Sequence, residues 1–235
     1  MNIIITGASR GFGRAIAEKF AEDKQGNTLV LCARDKNRLD LMAKHMQARF
    51  PRATVLSRAC DVTDKQQLTE FSDWAHTQTG KIDILINNAG SFLPGSVHEE
   101  ADGVLEAMLS VNLISAYTLS RLIIPGMKAQ LSGHIFNMCS IASLKSYKNG
   151  GAYSISKFAL AGMTRNLREE LKTYNIKVTG VYPGAAYTDS WAGAGIEPER
   201  IMEARDIASM IYTSAHLSPQ ACVEDIIMRP QLGDL

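Results

Sequence analysis

Short apolar runs rich in β-branched residues alternate along the chain with longer segments in which apolar residues recur at helical spacing. Several of these runs, such as NIIIT and IDILIN, carry apolar residues on both faces of the expected strand. Strands of that kind are typical of a parallel sheet that helices cover on both sides. The pattern predicts seven strands, at residues 3–6, 28–33, 54–57, 82–87, 134–139, 177–182 and 225–228.

The segments between these strands predict helices, and the alternation as a whole indicates an α/β, doubly wound fold. A chain of 235 residues is one large domain or two cramped ones, and the alternation favours one domain over residues 1–235. The most irregular stretch, residues 183–198, indicates a lid-like loop, and we expect a substrate loop at about residues 184–203. The predicted helices lie at residues 13–24, 37–50, 66–79, 104–130, 152–174 and 206–216.

Charge and hydropathy narrow the range of partners. Lysine and arginine number 25 against 24 acidic residues, so the net charge of +1 provides no field that would attract nucleic acid or an anionic membrane. We find no apolar stretch that approaches the ~18 residues of a membrane span, and no basic segment precedes the first apolar run. We therefore expect a cytoplasmic protein with neither a nucleic-acid nor a membrane partner.

The cysteines and histidines give no sign of a metal site. Cys32, Cys60, Cys139 and Cys222 form no CxxC pair and no regular disulfide spacing, so we expect reduced thiols. The five histidines are scattered and form no HExxH helix. The sequence therefore predicts no metal centre.

A glycine-rich segment, TGASRGFG at residues 6–13, joins the first strand to the first helix. This is the place where a dinucleotide pyrophosphate meets free backbone N–H groups, and glycines allow the close approach. The spacing is GxxxGxG, a variant of the general GxGxxG fingerprint. The alternative is a strand-to-helix turn that binds nothing.

Four polar side chains are expected at the carboxyl ends of the strands, where they would share one crevice. Tyr153 and Lys157 are four residues apart on a predicted helix and so lie on one face. Ser140 follows the fifth strand, and Asn112 lies in the long helix before it. Three of the four have an ordinary structural alternative, namely a turn cap for Ser140, a satisfied polar residue for Asn112 and a core residue for Tyr153.

The tip of the second strand indicates which cofactor binds. An NAD enzyme normally places a carboxylate there for the ribose 2′-hydroxyl, whereas Ala33 and Arg34 leave room and positive charge for a 2′-phosphate. Arg10, inside the glycine segment, can join Arg34. Asp35 is better explained as the N-cap of the next helix. We therefore expect NADP(H) as cofactor.

TGASRGFG, the NNAG at residues 87–90, Asn112, Ser140, YSISK at residues 153–157 and PGAAYT at residues 183–188, in this order, resemble the short-chain dehydrogenase/reductase family over nearly the whole chain. The resemblance implies a Rossmann sheet with strand order 3-2-1-4-5-6-7. It also implies that Tyr153 is the general acid/base and that Lys157 activates it. Ser140 would orient the carbonyl, and Asn112 would hold a proton-relay water.

Further site residues follow from the same resemblance and from the motifs. Asp61 is either a turn or cap residue in DVTD or, with Val62, an adenine contact, and Thr188 would bond the nicotinamide carboxamide. Ala186 stands where the family usually has a branched apolar residue. The cofactor site is expected to comprise Gly7, Ser9, Arg10, Gly11, Phe12, Gly13, Arg34, Asp61, Val62, Asn88, Ala89, Gly90, Tyr153, Lys157, Pro183, Gly184, Ala186 and Thr188. The expected substrate contacts are Ser140, Ala142, Tyr147, Tyr153 and Trp191.

The expected activity is reversible, NADPH-dependent reduction of a small carbonyl compound to an alcohol. TGASRGFGRA and VEDIIMRPQLGDL look most like sepiapterin-reductase-type members of the family. The alternatives are a 3-oxoacyl-acyl-carrier-protein reductase and a non-catalytic NADP-sensing protein. Electrostatics predicts that the Lys157 ammonium and the positive charge of the oxidised nicotinamide both lower the pKa of the Tyr153 phenol.

Two expectations concern the size and shape of what binds. Phe92, Tyr147, Tyr187 and Trp191 fall in loops around the crevice, which favours a compact substrate that is flat or apolar. The long helices carry more apolar surface than one sheet face should cover, which favours a homodimer or homotetramer.

Overall fold

Seven parallel strands form one sheet in the part of the chain that the computed structural model describes, residues 1–188, 195 and 197–234. The sheet order is β3-β2-β1-β4-β5-β6-β9, and β9 is the seventh of the predicted strands. The predicted strand order and doubly wound class are therefore confirmed. The strands are β1 (Asn2–Thr6), β2 (Thr28–Ala33), β3 (Thr54–Ala59), β4 (Ile84–Asn87), β5 (Gly133–Met138), β6 (Ile176–Pro183), β7 (Ala186–Tyr187), β8 (Met202–Glu203) and β9 (Asp225–Met228).

The helices follow the predicted positions, with shifts of a few residues at their ends. The predicted helix over residues 104–130 is interrupted by a π turn at Ser110–Ile114. Two short strands that the sequence did not predict, β7 and β8, pair beside the sheet and bring the two ends of the expected substrate loop together. The helices are α1 (Gly11–Ala21), α2 (Lys36–Arg49), α3 (Lys65–Thr79), α4 (Val104–Leu109), α5 (Ser115–Gln130), α6 (Gly151–Leu171) and α7 (Ala204–Ala215).

Apolar side chains fill both faces of the sheet. Ile3 and Ile5 of β1 pack into one cluster with residues of α1, α2 and α7, whereas Ile4 packs into a second cluster with residues of α3 and α5. All three isoleucines are fully buried, and each contributes roughly 1.5–3 kcal/mol of hydrophobic stabilisation. Burial on both sides explains why this strand carries no alternation of apolar and polar residues.

One helix corrects an expectation about membranes. The continuous helical segment Val104–Gln130 is long and apolar enough to cross a bilayer by length and composition alone, although the sequence pattern gave no such segment. A single helix of this kind is weak evidence, because the core helix of a soluble protein passes the same test. In this fold the helix is part of the core: Leu119, Ile123 and Met127 of α5 pack with residues of α3 into the second apolar cluster.

Candidate active site

The turn between β1 and α1 is shaped by glycines. Gly7 and Gly11 have φ values of 64° and 53°, in the left-handed region that favours glycine. A Cβ on Gly13 would overlap the Gly7 carbonyl and lie 2.5 Å from Asn88 Nδ2, so this position has no room for a side chain. Arg10 precedes α1 in extended conformation and gives the helix no side-chain cap. The first N–H groups and positive dipole end of α1 therefore suit an anionic group.

The glycine turn is fastened to the end of β4 by Thr6 and Asn88. Thr6 Oγ1 accepts hydrogen bonds from the backbone N–H groups of Asn88 and Ala89, at 3.0 and 2.9 Å. Asn88 Nδ2 donates in return to the carbonyls of Thr6 and Gly7, at 2.8 and 3.2 Å. The NNAG segment and the glycine turn thus form one hydrogen-bonded unit at the carboxyl end of the sheet.

The tip of β2 carries the charge that the sequence predicted. Ala33 is buried and Arg34, directly after it, is exposed. Asp35 caps α2, because its side chain accepts a hydrogen bond from the backbone N–H of Arg38 at 3.0 Å. The expected N-cap role of Asp35 is therefore confirmed, and that carboxylate is engaged by its own helix.

Asp61 and Val62 follow β3 at the same edge of the sheet. Asp61 Oδ1 accepts hydrogen bonds from the backbone N–H and the hydroxyl of Thr63, at 2.9 and 2.8 Å, which is the turn contact considered above. Val62 is buried in the second core cluster, so only its backbone is available to a ligand.

The segment after β6 closes over the glycine turn. The Thr188 side chain lies 3.6 Å from the place where a Cβ on Gly11 would stand. Gly184 donates its backbone N–H to the Met228 carbonyl at 2.8 Å, which ties this segment to β9. Pro183 and Ala186 are buried.

Ser140 and Tyr153 meet beyond the end of β5. The Ser140 hydroxyl accepts a hydrogen bond from the backbone N–H of Ala142 at 3.1 Å, which fixes the turn Ile141–Ser143. The Ser140 side chain is close enough to the Tyr153 phenol to lower the pKa of that phenol. Phe92 packs edge-on against the Tyr153 ring, with centroids 4.9 Å apart and an interplanar angle of 85°.

Lys157 lies one helical turn after Tyr153 and is buried. Its ammonium donates to the Met138 carbonyl at 2.7 Å and lies 5.8 Å from the centroid of the Tyr153 ring. Burial lowers the pKa of Lys157 to about 8, because the charged form loses its hydration. Lys157 thus retains a positive charge near neutral pH.

The expected effect on the phenol is wrong for the protein alone. Burial raises the pKa of Tyr153 to about 12, and the nearby Ser140 side chain opposes this only in part. Desolvation exceeds the attraction expected from the Lys157 ammonium, which is held at the Met138 carbonyl. The phenol therefore keeps its proton at neutral pH.

Asn112 is held in the π turn by contacts on both ends of its amide. Its Oδ1 accepts from the backbone N–H of Ser91 at 2.9 Å, and its Nδ2 donates to the Ser91 carbonyl at 3.0 Å. The same Nδ2 donates to the Ser156 hydroxyl at 2.9 Å, and that hydroxyl donates to the Tyr153 carbonyl at 2.7 Å. Asn112 thus joins the end of β4 to the helix that carries Tyr153 and Lys157.

Three of the four aromatic residues expected around the crevice lie within the described part of the chain. Phe92, Tyr147 and Tyr187 are each exposed, whereas Ala142 beside Ser140 is buried. Burial raises the pKa of the Tyr147 phenol, which faces Tyr153 closely enough to affect its ionisation. Trp191 lies outside the described residues.

Sequence reasoning missed the residues that hold the site together. Thr6, Ser91, Met138 and Ser156 make the contacts described above, yet Ser91 and Met138 act largely through their backbones. A contact made by the backbone does not depend on which amino acid stands at that position, so the sequence does not reveal it. Thr6 and Ser156 were detectable, because they lie within the glycine segment and the YSISK segment.

Comparison with known proteins agrees with this geometry. The family model described as short chain dehydrogenase matches residues 1–197. An uncharacterised oxidoreductase of Staphylococcus saprophyticus is 33% identical over 227 residues, covering 97% of this chain and 96% of that protein. The sepiapterin reductase of Chlorobaculum tepidum is 31% identical over 237 residues, covering 99% of this chain and 97% of that protein.

A solved structure extends the comparison. A metagenomic short-chain oxidoreductase in complex with NADP has a TM-score of 0.84 to this chain and is 31% identical, with 98% of this chain and 97% of that chain covered. The match therefore spans the glycine turn, the cluster around Tyr153 and the loop beyond β6. This chain belongs to the short-chain dehydrogenase/reductase family.

Proposed function

We propose that this short-chain oxidoreductase reduces a small carbonyl compound to an alcohol with NADPH and catalyses the reverse oxidation with NADP⁺. The observation that carries the proposal is the Tyr153 phenol, which burial keeps protonated, beside the Ser140 side chain and one helical turn from the Lys157 ammonium. A proton donor, a second hydroxyl and a fixed cation at one point are what carbonyl reduction requires of a protein.

The residues present fit the cofactor. Gly7 and Gly13 let the glycine turn pack tightly against Asn88 and Ala89, and the start of α1 has no side-chain cap, so its first N–H groups suit a pyrophosphate. Arg34 and Arg10 would hold the 2′-phosphate, and Thr188 would bond the carboxamide. When bound, the nicotinamide supplies the hydride. The NADP in the similar metagenomic structure supports the choice of NADP(H).

The protein's own groups would supply the proton. Ser140 donates a hydrogen bond to the carbonyl oxygen, where negative charge grows as the hydride adds to carbon. Tyr153 then gives its proton to that oxygen, so the alcohol forms and a phenolate remains. Lys157 stabilises the phenolate. A phenol with a pKa near 12 keeps its proton at neutral pH, which suits the reduction direction.

Asn112 would act through the main chain. Its amide is engaged by Ser91 and Ser156, so the backbone of the π turn is the part of this residue that is left to hold a proton-relay water. Transfer of a proton from solvent through such a water to the phenolate would return the site to its starting state.

The substrate we propose is compact and flat or apolar. Phe92 presents an exposed ring against Tyr153, and Tyr147 and Tyr187 are exposed in the segments that follow β5 and β6. The similarity to the Chlorobaculum tepidum sepiapterin reductase favours a pterin among such compounds. A 3-oxoacyl group on an acyl carrier is the alternative substrate, and a non-catalytic NADP-sensing role is the alternative function.

We also propose a cytoplasmic homodimer or homotetramer, in which the whole chain acts as one domain with its substrate loop at 184–203. Ile114, Tyr117, Ile155 and Phe158 expose apolar surface on the outer sides of α5 and α6. Two copies packed through this surface would cover it. Sedimentation of a ~26 kDa species alone at micromolar concentration would contradict the oligomer.

The proposed activity is tested by NADPH consumption with a panel of diketones, quinones and pterins. The matched control is Tyr153→Phe, which removes the hydroxyl and leaves the ring against Phe92. We expect the variant to bind NADPH normally and to lose turnover by ~10²–10⁴, the usual worth of general acid catalysis. Equal rates for wild type and variant would refute the proposed chemistry. A preference for sugar phosphates over aromatic ketones would refute the substrate class.

A further inference from the structure

Glu100 lies far from the catalytic residues in sequence and reaches the start of their helix. Its two carboxylate oxygens both accept from the backbone N–H of Ala152, at 3.0 and 3.1 Å. Ala152 immediately precedes Tyr153 on α6. A contact across 52 residues therefore ends one residue before the proposed proton donor.

The carboxylate occupies a space that two glycines leave. Gly151 has a φ of 39°, and a Cβ there would overlap Glu100 Oε1. A Cβ on Gly95 would lie 2.6 Å from the same oxygen. Side chains at either position would therefore displace the carboxylate from the helix end.

The helix has no local substitute for this contact. Gly150 is the N-cap residue of α6 and provides no side-chain hydrogen bond, and the first turn carries no acidic residue. A carboxylate at a helix N-terminus satisfies a free N–H and interacts favourably with the helix dipole. Glu100 thus supplies from a distant loop what the local sequence of α6 lacks.

The loop that carries Glu100 also contacts the catalytic ring. Gly95 donates its N–H to the Asn149 carbonyl at 3.1 Å, and the Ser96 hydroxyl donates to Asn149 Oδ1 at 3.1 Å. Phe92, at the start of this loop, packs edge-on against Tyr153. One loop therefore holds both the backbone before Tyr153 and the face of its ring.

We propose that Glu100 is a positioning residue that fixes the start of α6, and with it the Tyr153 hydroxyl, in the geometry for proton transfer. The inference rests on the proposed function of Tyr153. Small displacements of a catalytic group reduce turnover strongly, whereas the cofactor contacts of the glycine turn lie on other elements.

The test compares three substitutions at Glu100 with a neighbour. Glu100→Ala removes the acceptor, Glu100→Asp keeps the charge but withdraws the carboxylate from Ala152, and Glu100→Gln keeps one acceptor oxygen in reach. Glu99→Ala is the control, because Glu99 is exposed and its side chain pairs only loosely with His98, at 3.7 Å. The readouts are kcat for carbonyl reduction and the Kd of NADPH, with rates normalised to the NADPH-binding fraction.

We expect Glu100→Ala to lower kcat by roughly ten- to a hundredfold with the NADPH Kd within about twofold of wild type. Glu100→Asp should resemble the alanine variant, and Glu100→Gln should recover most of the loss. A loss of stability alone would leave the normalised kcat unchanged.

Two results would overturn the inference. One is a normalised kcat for Glu100→Ala within about twofold of Glu99→Ala. The other, which decides the matter if Glu100→Ala does not fold, is wild-type kcat in Glu100→Asp. Equal rates for wild type and Tyr153→Phe would instead refute the proposed function and this inference together, so the two failures are distinguishable.

Discussion

The glycine turn and the cluster around Tyr153 lie at the same edge of the sheet but are built in opposite ways. The turn is formed by residues that are neighbours in sequence, and its shape requires positions without a side chain, because a Cβ on Gly13 would overlap the Gly7 carbonyl. The cluster joins side chains of the π turn and α6 to the backbone of Ser91 and Met138, and it depends on those polar contacts. Changes in side-chain size should therefore affect the turn, and loss of polar groups should affect the cluster.

Lys157 is expected both to activate Tyr153 and to contact the cofactor, so its replacement should affect turnover and NADPH binding together. Lys157→Met fills similar space but removes the ammonium and its bond to the Met138 carbonyl. We expect turnover to fall by ~10²–10⁴, because the phenolate loses its stabilising charge, and NADPH affinity to fall as well. Steady-state kinetics and NADPH titration measure the two effects.

Tyr153→Phe provides the comparison for this variant, since it should lower turnover alone. If Lys157→Met left NADPH affinity unchanged, Lys157 would belong to the catalytic cluster only, and the two regions would be separable at every residue.

Gly13→Ala tests the glycine turn by adding one methyl group. The Cβ would overlap the Gly7 carbonyl and crowd Asn88, so we expect a loss of about 1–3 kcal/mol in unfolding free energy and weaker NADPH binding. Denaturant unfolding and NADPH titration measure both. Gly162→Ala is the control, because nothing lies within 4 Å of its added Cβ. Equal effects at the two positions would show that the turn tolerates a side chain.

Arg34→Ala removes a positive charge from the cofactor site beside the glycine turn and leaves the cluster around Tyr153 unchanged. A lost charge-assisted hydrogen bond costs about 1.5–3 kcal/mol, so NADPH affinity should fall by roughly ten- to a hundredfold, while NADH affinity stays constant. Lys36→Ala, two residues further on, is the control, because Lys36 pairs with Asp40 in its own helix. A wild-type preference for NADH would contradict the proposed role of Arg34.

The fourth prediction separates acid unfolding from titration of the site. His134 is buried at the start of β5 and bonded to the Thr179 hydroxyl at 2.8 Å, and burial lowers its pKa from 6.5 to about 3. The unfolded chain therefore binds a proton first as pH falls. This contribution to stability is complete above about pH 6.5 and is lost progressively down to about pH 3.

At about pH 5 the loss should reach about 2 kcal/mol. His134→Gln should flatten the dependence of unfolding free energy on pH across this window, whereas His45→Gln, on the exposed side of α2, should leave it unchanged. An identical pH dependence in wild type and His134→Gln would show that His134 has no part in acid unfolding.

The fold was predictable where the signal is local. Strands such as β1 and β4 are continuous runs of apolar residues, and the glycines of the turn directly indicate its backbone conformation. The π turn was not predictable, because an interrupted helix keeps nearly the same apolar spacing on either side. Glu100 and Ser91 act across 52 and 21 residues, and no single-sequence pattern links such positions.

The error about the Tyr153 pKa has a physical source. The sequence places a lysine one turn from the tyrosine, which predicts attraction, but burial of both groups appears only in the folded chain. Desolvation then opposes charge on either group. The sequence indicates that Tyr153 and Lys157 are close on one helix, but it does not indicate that both side chains are buried.

The π turn at Ser110–Ile114 makes the number of residues in this helix matter as much as their identity. A π turn holds one residue more than an α turn, so deleting one residue there would let the segment close as a continuous α-helix. The helical segments on either side would keep nearly their orientation, whereas the residues within the turn itself would be repositioned. Asn112 would turn away from Ser91 and Ser156 without a single site residue having been replaced. A single deletion in this turn would thus disturb the site as directly as a replacement of Asn112.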